Sequence, residues 1–389
     1  MVEPVHLSGT TLEGGGQLLR IAIGVSALTR IPIHITDIRG NRSGGGGLKL
    51  QHLTAIKWLA NASSATSTGA VVKSKTLDFR PSLEHDYVRS LSSDIDVGSP
   101  GSVGLVLQAV LPFVLFSGCQ QGSIHITIKG GTNVSMSPSI DYIQQVLLPT
   151  LSRIGLPPVT AALNHRGWST GRTEMGSVTF TITPLGNGAR LPAFNLSSRG
   201  SIKHIQATVL APRSCEKQAR DLLSAALGQQ FPHLDVDIAF EDSRHTKRLY
   251  LLLVATSGNG YKLARDWLYS GKSTSPNDAV PRLVSQVVSE LAAEIEHGGC
   301  VDEYMRDQLV VFQALVQGKS VVDGGRAGGK SVEPSLHAKT AQWVVNMLLD
   351  VEFDESGWCE GIGLRAGEDY AKRKDGDEGV TRLIDTLQV

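Results

Sequence analysis

The sequence predicts an α/β (α+β) protein in which three related units follow one another and a smaller α/β domain interrupts them. Three observations carry this. The octamer IHITDIRG at 33–40 returns as IHITIKGG at 124–131, an offset of 91 residues. Each copy follows a glycine-rich turn and an apolar helix, and each leads into a loop and a second helix. The third observation is spacing. His52 and Asp141, near the starts of successive second helices, lie 89 residues apart, whereas Asp141 and His337 lie 196 apart. One period plus about 105 residues separates the last pair, so something domain-sized lies between units two and three.

The elements follow in order. GGGQLLRIAIGVSAL reads as a turn feeding a helix, IHIT as a strand, and LQHLTAIKWLANA as the second helix of unit one. In unit two, GSVGLVLQAVLPFVLF, IHITIKGG and SIDYIQQVLLPTLSRIG repeat that order, and the alternating SVTFTITPL at 177–185 closes the unit as a strand. The segment 188–285 reads strand (IKHIQATVLA), helix (CEKQARDLLSAALGQQ) and two strands (LDVDIAF, RLYLLLVATS), a small α/β domain of its own. Unit three has VDEYMRDQLVVFQALVQG as first helix, SVV as strand, SLHAKTAQWVVNMLLD as second helix and WCEGIGL as last strand. The expected division is therefore a discontinuous three-unit domain, 1–187 and 286–389, around an inserted domain, 188–285.

Composition narrows the function. Lys plus Arg balance Asp plus Glu at 37 each, so no global field marks a nucleic-acid binder. The balance hides a split: Gly14–Leu77 holds eight Lys or Arg against the single acid Asp37, and Asp350–Glu378 holds ten acids against four bases. The basic stretch is either a solvated face or the seat of an anionic ligand. The four cysteines form no C-x-x-C, which argues against a zinc site or a disulfide framework. The N-terminus has no apolar signal region, and the longest apolar run, LVLQAVLPFVLF, is too short to span a bilayer. The expectation is an intracellular protein, in nucleus or cytoplasm, with no membrane and no obligate protein partner.

Two neighbouring stretches compete for nucleotide chemistry. GGRAGGKS at 324–331 matches the phosphate-loop pattern G-x-x-x-x-G-K-S. A working phosphate loop needs a helix directly after it, and Pro334 disfavours helix at Glu333. The match is expected to be inert. In SVEPSLHAKTAQW at 331–343, His337 opens a helix. A lone histidine is usually a surface or core residue. Here the positive end of a helix disfavours the imidazolium, and the neutral ring is the nucleophilic form. Tyr304, Asp307 and Gln308 share one face of the preceding helix, so Asp307 is a candidate for orienting the ring.

Two glycine-rich stretches could hold phosphate. In EGGGQLLR at 13–20 the glycines either simply turn the chain or let amides approach a phosphate beside Arg20. Glu13 there could bind metal or act as a base. IRGNRSGGGGLKLQHL at 38–53 sets Arg39, Arg42, Lys49, Gln51 and His52 around four glycines and is the best candidate for gripping a polyanion.

Together EGGGQLLR, QHLT, GGTN followed by SMSPSIDY, HGGCVDEYMRDQL and SLHAKTA resemble the RNA 3′-terminal phosphate cyclase family, in that family's order and over nearly the whole chain. The resemblance implies three βαβαββ-type units with a small α/β insertion. It implies that a histidine, here His337, accepts AMP from ATP, that AMP passes to an RNA 3′-phosphate, and that a 2′,3′-cyclic phosphate forms. It implies nucleotide contacts at Gln108, Pro138, Tyr304, Asp307 and Gln308. Glu13, Arg20, Arg39, Arg42, Gln51 and His52 match positions lining the active site, with Lys49 near a position usually basic. Mg2+ or another divalent cation is expected with ATP.

The chain departs from the family pattern in several places. SGGGGLKLQHL is one residue longer than usual and lacks a proline, Ser198 stands in place of a glutamate, RTEMG at 172–176 replaces a glycine run, and GGRAGGKS looks inserted. These departures bear on RNA-end specificity and turnover. Relatives of the same fold that act in ribosome assembly without cyclase chemistry lack the nucleophilic histidine, so His337 favours the enzyme. Adenylate transfer to some other phosphate end is a third reading.

Overall fold

The computed structural model describes residues 3–82, 91–272 and 275–371. Unit one runs β1 (Val5–Ser8), α1 (Gln17–Thr29), β2 (Ile33–Thr36), α2 (Leu50–Ala62), β3 (Thr66–Thr68) and β4 (Leu77–Arg80). Its sheet has the order β1-β2-β4-β3, with β1 and β2 parallel and the other pairs antiparallel. Unit two repeats this. It runs β5 (Ser93–Asp96), α3 (Val103–Phe116), β6 (Ile124–Gly130), a helical rod, β7 (Val159–His165) and β8 (Gly176–Ile182), ordered β5-β6-β8-β7. The rod comprises α4 (Ile140–Tyr142), a π-helical stretch (Ile143–Leu147) and α5 (Leu148–Arg153). The repeated octamers open on β2 and β6, so the period read from the sequence is a period of structure.

Unit three has been opened after its first strand. That strand is β9 (Asn195–Leu196), and it pairs in parallel with β14 (Gln317–Val322) across the whole insertion. Between them come β10 (Ile202–Ala211), α6 (Glu216–Gln230), β11 (Asp235–Asp242), β12 (Tyr250–Ser257), β13 (Lys262–Leu268), α7 (Pro276–Glu296) and α8 (Glu303–Leu315). After β14 come a two-strand hairpin, β15 (Arg326–Ala327) and β16 (Lys330–Ser331), then α9 (Leu336–Leu349) and β17 (Trp358–Ile362). The sheet order is β17-β14-β9, and a bridge from Phe353 to Cys359 stands where the outermost strand ran in the first two units.

Of the insertion boundaries expected from the sequence, 188 falls before β9, a strand of unit three, and 285 falls within an element. Residues 195–196 belong to the third sheet, and 285 lies inside α7. A two-residue strand carries no periodic signal. The apolar stripe Leu283, Val287, Leu291 of α7 packs on the insertion's own core. The insertion also has a fourth strand, β13, giving the order β11-β10-β12-β13. Alternate residues of this sheet serve two cores. Ile205, Val209, Leu251 and Leu253 face α6 and α7, whereas Leu210, Tyr250, Leu252 and Val254 join the core of the three units. Burial of both faces explains why β12 reads as an unbroken apolar run.

The helices of the units form the interior and their sheets the exterior. All thirteen residues of α1 are buried, packed by α2, α3 and α9, as an all-round apolar helix must be. Side-chain caps set where the site helices begin. Ser102 accepts from the Leu105 amide at 3.3 Å, Asp302 from Met305 at 2.8 Å, and Ser335 from Ala338 at 3.2 Å. GGRAGGKS is not a phosphate loop. Gly328 and Gly329, at φ of +58° and +79°, form the turn of the β15–β16 hairpin, Lys330 is exposed, and no helix follows before Leu336. Among the described residues no helix is long and apolar enough to cross a membrane.

Candidate active site

The site assembles where the N-terminus of α1 meets α2, α3 and α9. No side chain caps α1, so the amides of its first turn are open to an anion. The glycines preceding it leave space that the tips of site side chains occupy. A Cβ on Gly15 would lie 2.0 Å from Glu13 Oε1, and one on Gly16 would lie 2.7 Å from Arg20 Nη1 and 2.9 Å from His52 Nε2. The bare backbone thus lets an acid, a guanidinium and an imidazole meet at one helix start. Arg20 is buried. Its Nε donates to Gln108 Oε1 on α3 at 2.7 Å and its Nη2 to Gln17 Oε1 at 2.6 Å. Burial pushes Arg20 down to about 10, partly offset by Asp307 and Glu13.

The loop from 38 to 49 brings the second group. Arg39, in a left-handed conformation at φ +56°, donates from Nη1 to the Gly47 carbonyl at 3.0 Å. Arg42 pairs with Glu13. Lys49 precedes α2, and its amide donates to His52 Nδ1 at 3.2 Å. That bond uses the lone pair of Nδ1, so the neutral ring carries its proton on Nε2, beside Gly16. Burial, and then Arg20, Arg39 and Lys49, push His52 down to about 3, which keeps it neutral. Arg39 and Lys49 are likewise lowered, first by burial and then by their basic neighbours. Gln51 turns to unit two, where its Oε1 accepts from the Ser102 amide at 3.1 Å.

His337 is the second residue of α9, half-buried, and its ring makes no hydrogen bond among the described residues. Burial lowers its pKa below the usual 6.5; Glu13 pulls the other way, while Arg20 and Arg42 add to the lowering. Thr340, one turn further along α9, ties this helix to the glycine turn by accepting from the Glu13 amide at 3.1 Å. Asp307 does not hold the imidazole, contrary to the sequence expectation. Its carboxyl takes the Gln308 amide and faces Arg20, and burial pushes it up to about 7. Helix spacing placed Asp307 near the cleft, but α8 turns it toward α1 rather than toward α9.

The remaining candidates flank this group. Tyr304 on α8 packs edge-on against Tyr142, ring centroids 6.0 Å apart, and the Arg265 guanidinium of the insertion lies 4.7 Å from its centroid. Pro138 sits beside Gly104, one turn before Gln108 on α3. Asp141, the counterpart of His52 in unit two, is not in the cleft. Arg166 grips both its oxygens at 2.9 Å and reaches on to Glu241 of the insertion. Sequence reasoning missed Gln17, Thr340 and Arg265. The first two stand three residues from Arg20 and His337 on their helices, a usable signal. Arg265 lies on an inserted strand, and nothing local marks it.

Among the described residues Glu13 has no preformed metal cage around it, and a cation there would draw its other ligands from a bound phosphate and water. Its buried carboxylate already accepts from Arg42 and, at 2.7 Å, from the Gly15 amide, and no cluster of three ligand side chains exists among the described residues.

Comparison with known proteins agrees with this geometry. Residues 11–354 match the family model described as RNA 3′-terminal phosphate cyclase. An RNA 3′-terminal phosphate cyclase of Caldivirga maquilingensis is 33% identical over 95% of this chain and 99% of its own. One from Pyrococcus furiosus is 32% identical over the same shares, and one from the bacterium Methylococcus capsulatus is 29% identical over 91% and 94%. A match spanning all three units and the insertion, with the histidine and arginine helix starts converging on one cleft, means that the chain belongs to the RNA 3′-terminal phosphate cyclase family.

Proposed function

We propose that this chain uses ATP to convert an RNA 3′-terminal phosphate into a 2′,3′-cyclic phosphate, with His337 carrying AMP between the two substrates. A ring nitrogen of His337 attacks the α-phosphorus of ATP, the bond to the bridging oxygen breaks, and pyrophosphate leaves. An oxygen of the RNA 3′-phosphate then attacks the same phosphorus and the P–N bond breaks, returning the imidazole. Attack of the neighbouring 2′-hydroxyl on the activated 3′-phosphorus expels AMP and closes the ring. Arg20, Arg42, the His52 Nε2–H and the first amides of α1 are the donors available to the phosphates. Tyr304 and Pro138 offer apolar surfaces for the base. A divalent cation would arrive with ATP as part of that substrate.

The observation that carries this reading is the contrast between two neutral histidines. His52 has one nitrogen committed to the Lys49 amide and presents only a donor, whereas among the described residues both nitrogens of His337 are without a hydrogen-bond partner. Only the second can attack. Label from ATP labelled at the α-phosphate should remain on the protein through denaturing electrophoresis and alkali and leave in mild acid, as a phosphoramidate does. His337→Asn should abolish labelling, and RNA already adenylated at its 3′-phosphate should restore cyclisation in part. Labelling of His337→Asn at the wild-type level would falsify the assignment. An unlabelled wild type would favour a non-catalytic role in ribosome assembly.

A further inference from the structure

The basic bias of Gly14–Leu77 is not exhausted by the cleft. Arg20, Arg39, Arg42 and Lys49 belong to the site just described, but Lys73 and Lys75 do not. They lie in the turn between β3 and β4, distant in sequence from the cleft loop, yet that turn is stitched to it. The Lys73 amide donates to the Leu48 carbonyl at 2.8 Å, the Leu48 amide to Ser74 at 3.0 Å, and the Ile38 amide to Lys75 at 2.9 Å. Gly47 packs so closely that a Cβ there would lie 2.5 Å from the Lys73 carbonyl oxygen. Lys73 is itself held at φ +69°, in the left-handed region that few non-glycine residues adopt.

The result is one continuous rigid surface leading out of the cleft. Both lysines are exposed, and neither pairs with an acid among the described residues. Beside them Val71 and Val72 are 62% and 44% exposed, two adjacent large apolar side chains turned to solvent on a basic surface. A solvated face needs neither the left-handed backbone nor the exposed valines. Phosphates spaced along a flexible strand, with bases that need apolar cover, match both features.

We propose that the turn at 71–75 is a track for the single-stranded RNA upstream of the reacting end, with Lys73 and Lys75 on its backbone phosphates and Val71 and Val72 beneath a base. This rests on the reading of the cleft as the seat of the RNA 3′-phosphate. It adds that recognition extends beyond the terminal nucleotide and is indifferent to sequence.

The test compares a 20-nucleotide RNA with a dinucleotide, both ending in a 3′-phosphate, in wild type and in Lys73→Glu/Lys75→Glu. Binding of the fluorescent 20-mer is measured without ATP across a salt series. The double variant should bind it at least about tenfold more weakly, with the slope of log affinity against log salt shallower by about 1.4, two phosphate contacts on a single strand. Its KM for the dinucleotide, and its labelling by ATP, should be unchanged, which also reports an intact fold. Val71→Ser/Val72→Ser should weaken the 20-mer with the slope kept. Wild-type affinity and slope in the lysine variant would overturn the track, and wild-type affinity in the valine variant would remove the base contact from it. Because binding is read without ATP, a failure of AMP transfer to His337 would leave this result standing, and the two proposals fall separately.

Discussion

At the scale of single residues, the cleft lowers the pKa of two imidazoles, and the proposed chemistry gives them opposite jobs. His337 is lowered by burial, with Arg20 and Arg42 adding to the effect against Glu13. A lowered pKa means that the neutral, attacking form prevails at and above the usual 6.5. The single-turnover rate of AMP transfer, measured by quenched labelling, should therefore fall by less than half between pH 8 and 6.5 and reach its midpoint below 6.5. An inflection above 6.5 would contradict the placement. Arg20 offers a second check. Its Nε and Nη2 hold Gln108 and Gln17 at once, which a lysine ammonium cannot reproduce. Arg20→Lys should lower kcat/KM at least about tenfold, roughly 1.4 kcal/mol, with the fold retained. Glu13, which the sequence offers as a metal ligand or a base, closes the glycine turn and pairs with Arg42.

At the scale of elements, α8 is fixed by residues from elsewhere. Asp302 caps it and also accepts from the Tyr142 hydroxyl at 2.7 Å and from the Ala264 amide of β13 at 2.8 Å. Arg265, next along β13, lies against the Tyr304 ring and pairs with the buried Glu294 and with Glu303. Arg265→Ala leaves Glu294 without its partner and Tyr304 without its support. Denaturant unfolding should show a loss of about 3 kcal/mol, and ATP affinity should weaken even where the protein is fully folded. The β15–β16 hairpin makes the opposite prediction. Lys330→Ala should leave ATP affinity within about threefold, roughly 0.6 kcal/mol. A hundredfold loss with the fold intact would mean the hairpin reaches the nucleotide after all.

For the whole molecule, the question is how independent the insertion is. It has its own sheet and its own core under α6 and α7, yet the other face of that sheet, with Leu210, Tyr250, Leu252 and Val254, is part of the main core. Arg166 adds a polar clamp from Asp141 to Glu241. We propose that the insertion is a structural partner of unit two, with a sheet of its own but no independent stability. Calorimetry of the full chain should then show one transition, and residues 198–300 expressed alone should bind a hydrophobic dye through the uncovered face. Two well-separated transitions would show that the insertion folds apart.

The sequence by itself determined the repeated unit, the presence of an insertion and the identity of most cleft residues. These rest on local rules: period-two strands, apolar helices, serine and aspartate caps, and glycines where the backbone must approach a side chain. The octamers at 33 and 124 were legible because every unit buries its helices against its sheet in the same way, and burial selects the same pattern each time. Pro334 likewise sufficed to dismiss the phosphate-loop match, since chain stiffness is local. What the tertiary structure alone decided is direction and partnership. Asp307 and His337 are thirty residues apart, and only the packing of α8 on α9 and α3 turns the carboxyl toward Arg20. Asp141 and His52 hold equivalent positions in their units, and only the presence of Arg166 and the insertion makes one a clamp and the other a donor in the cleft. The first strand of unit three is two residues long and pairs across the whole insertion, so no window of sequence could contain it and its partner. Local propensity fixes what an element is; which side chains meet is a property of surfaces that exist only once the chain has closed on itself.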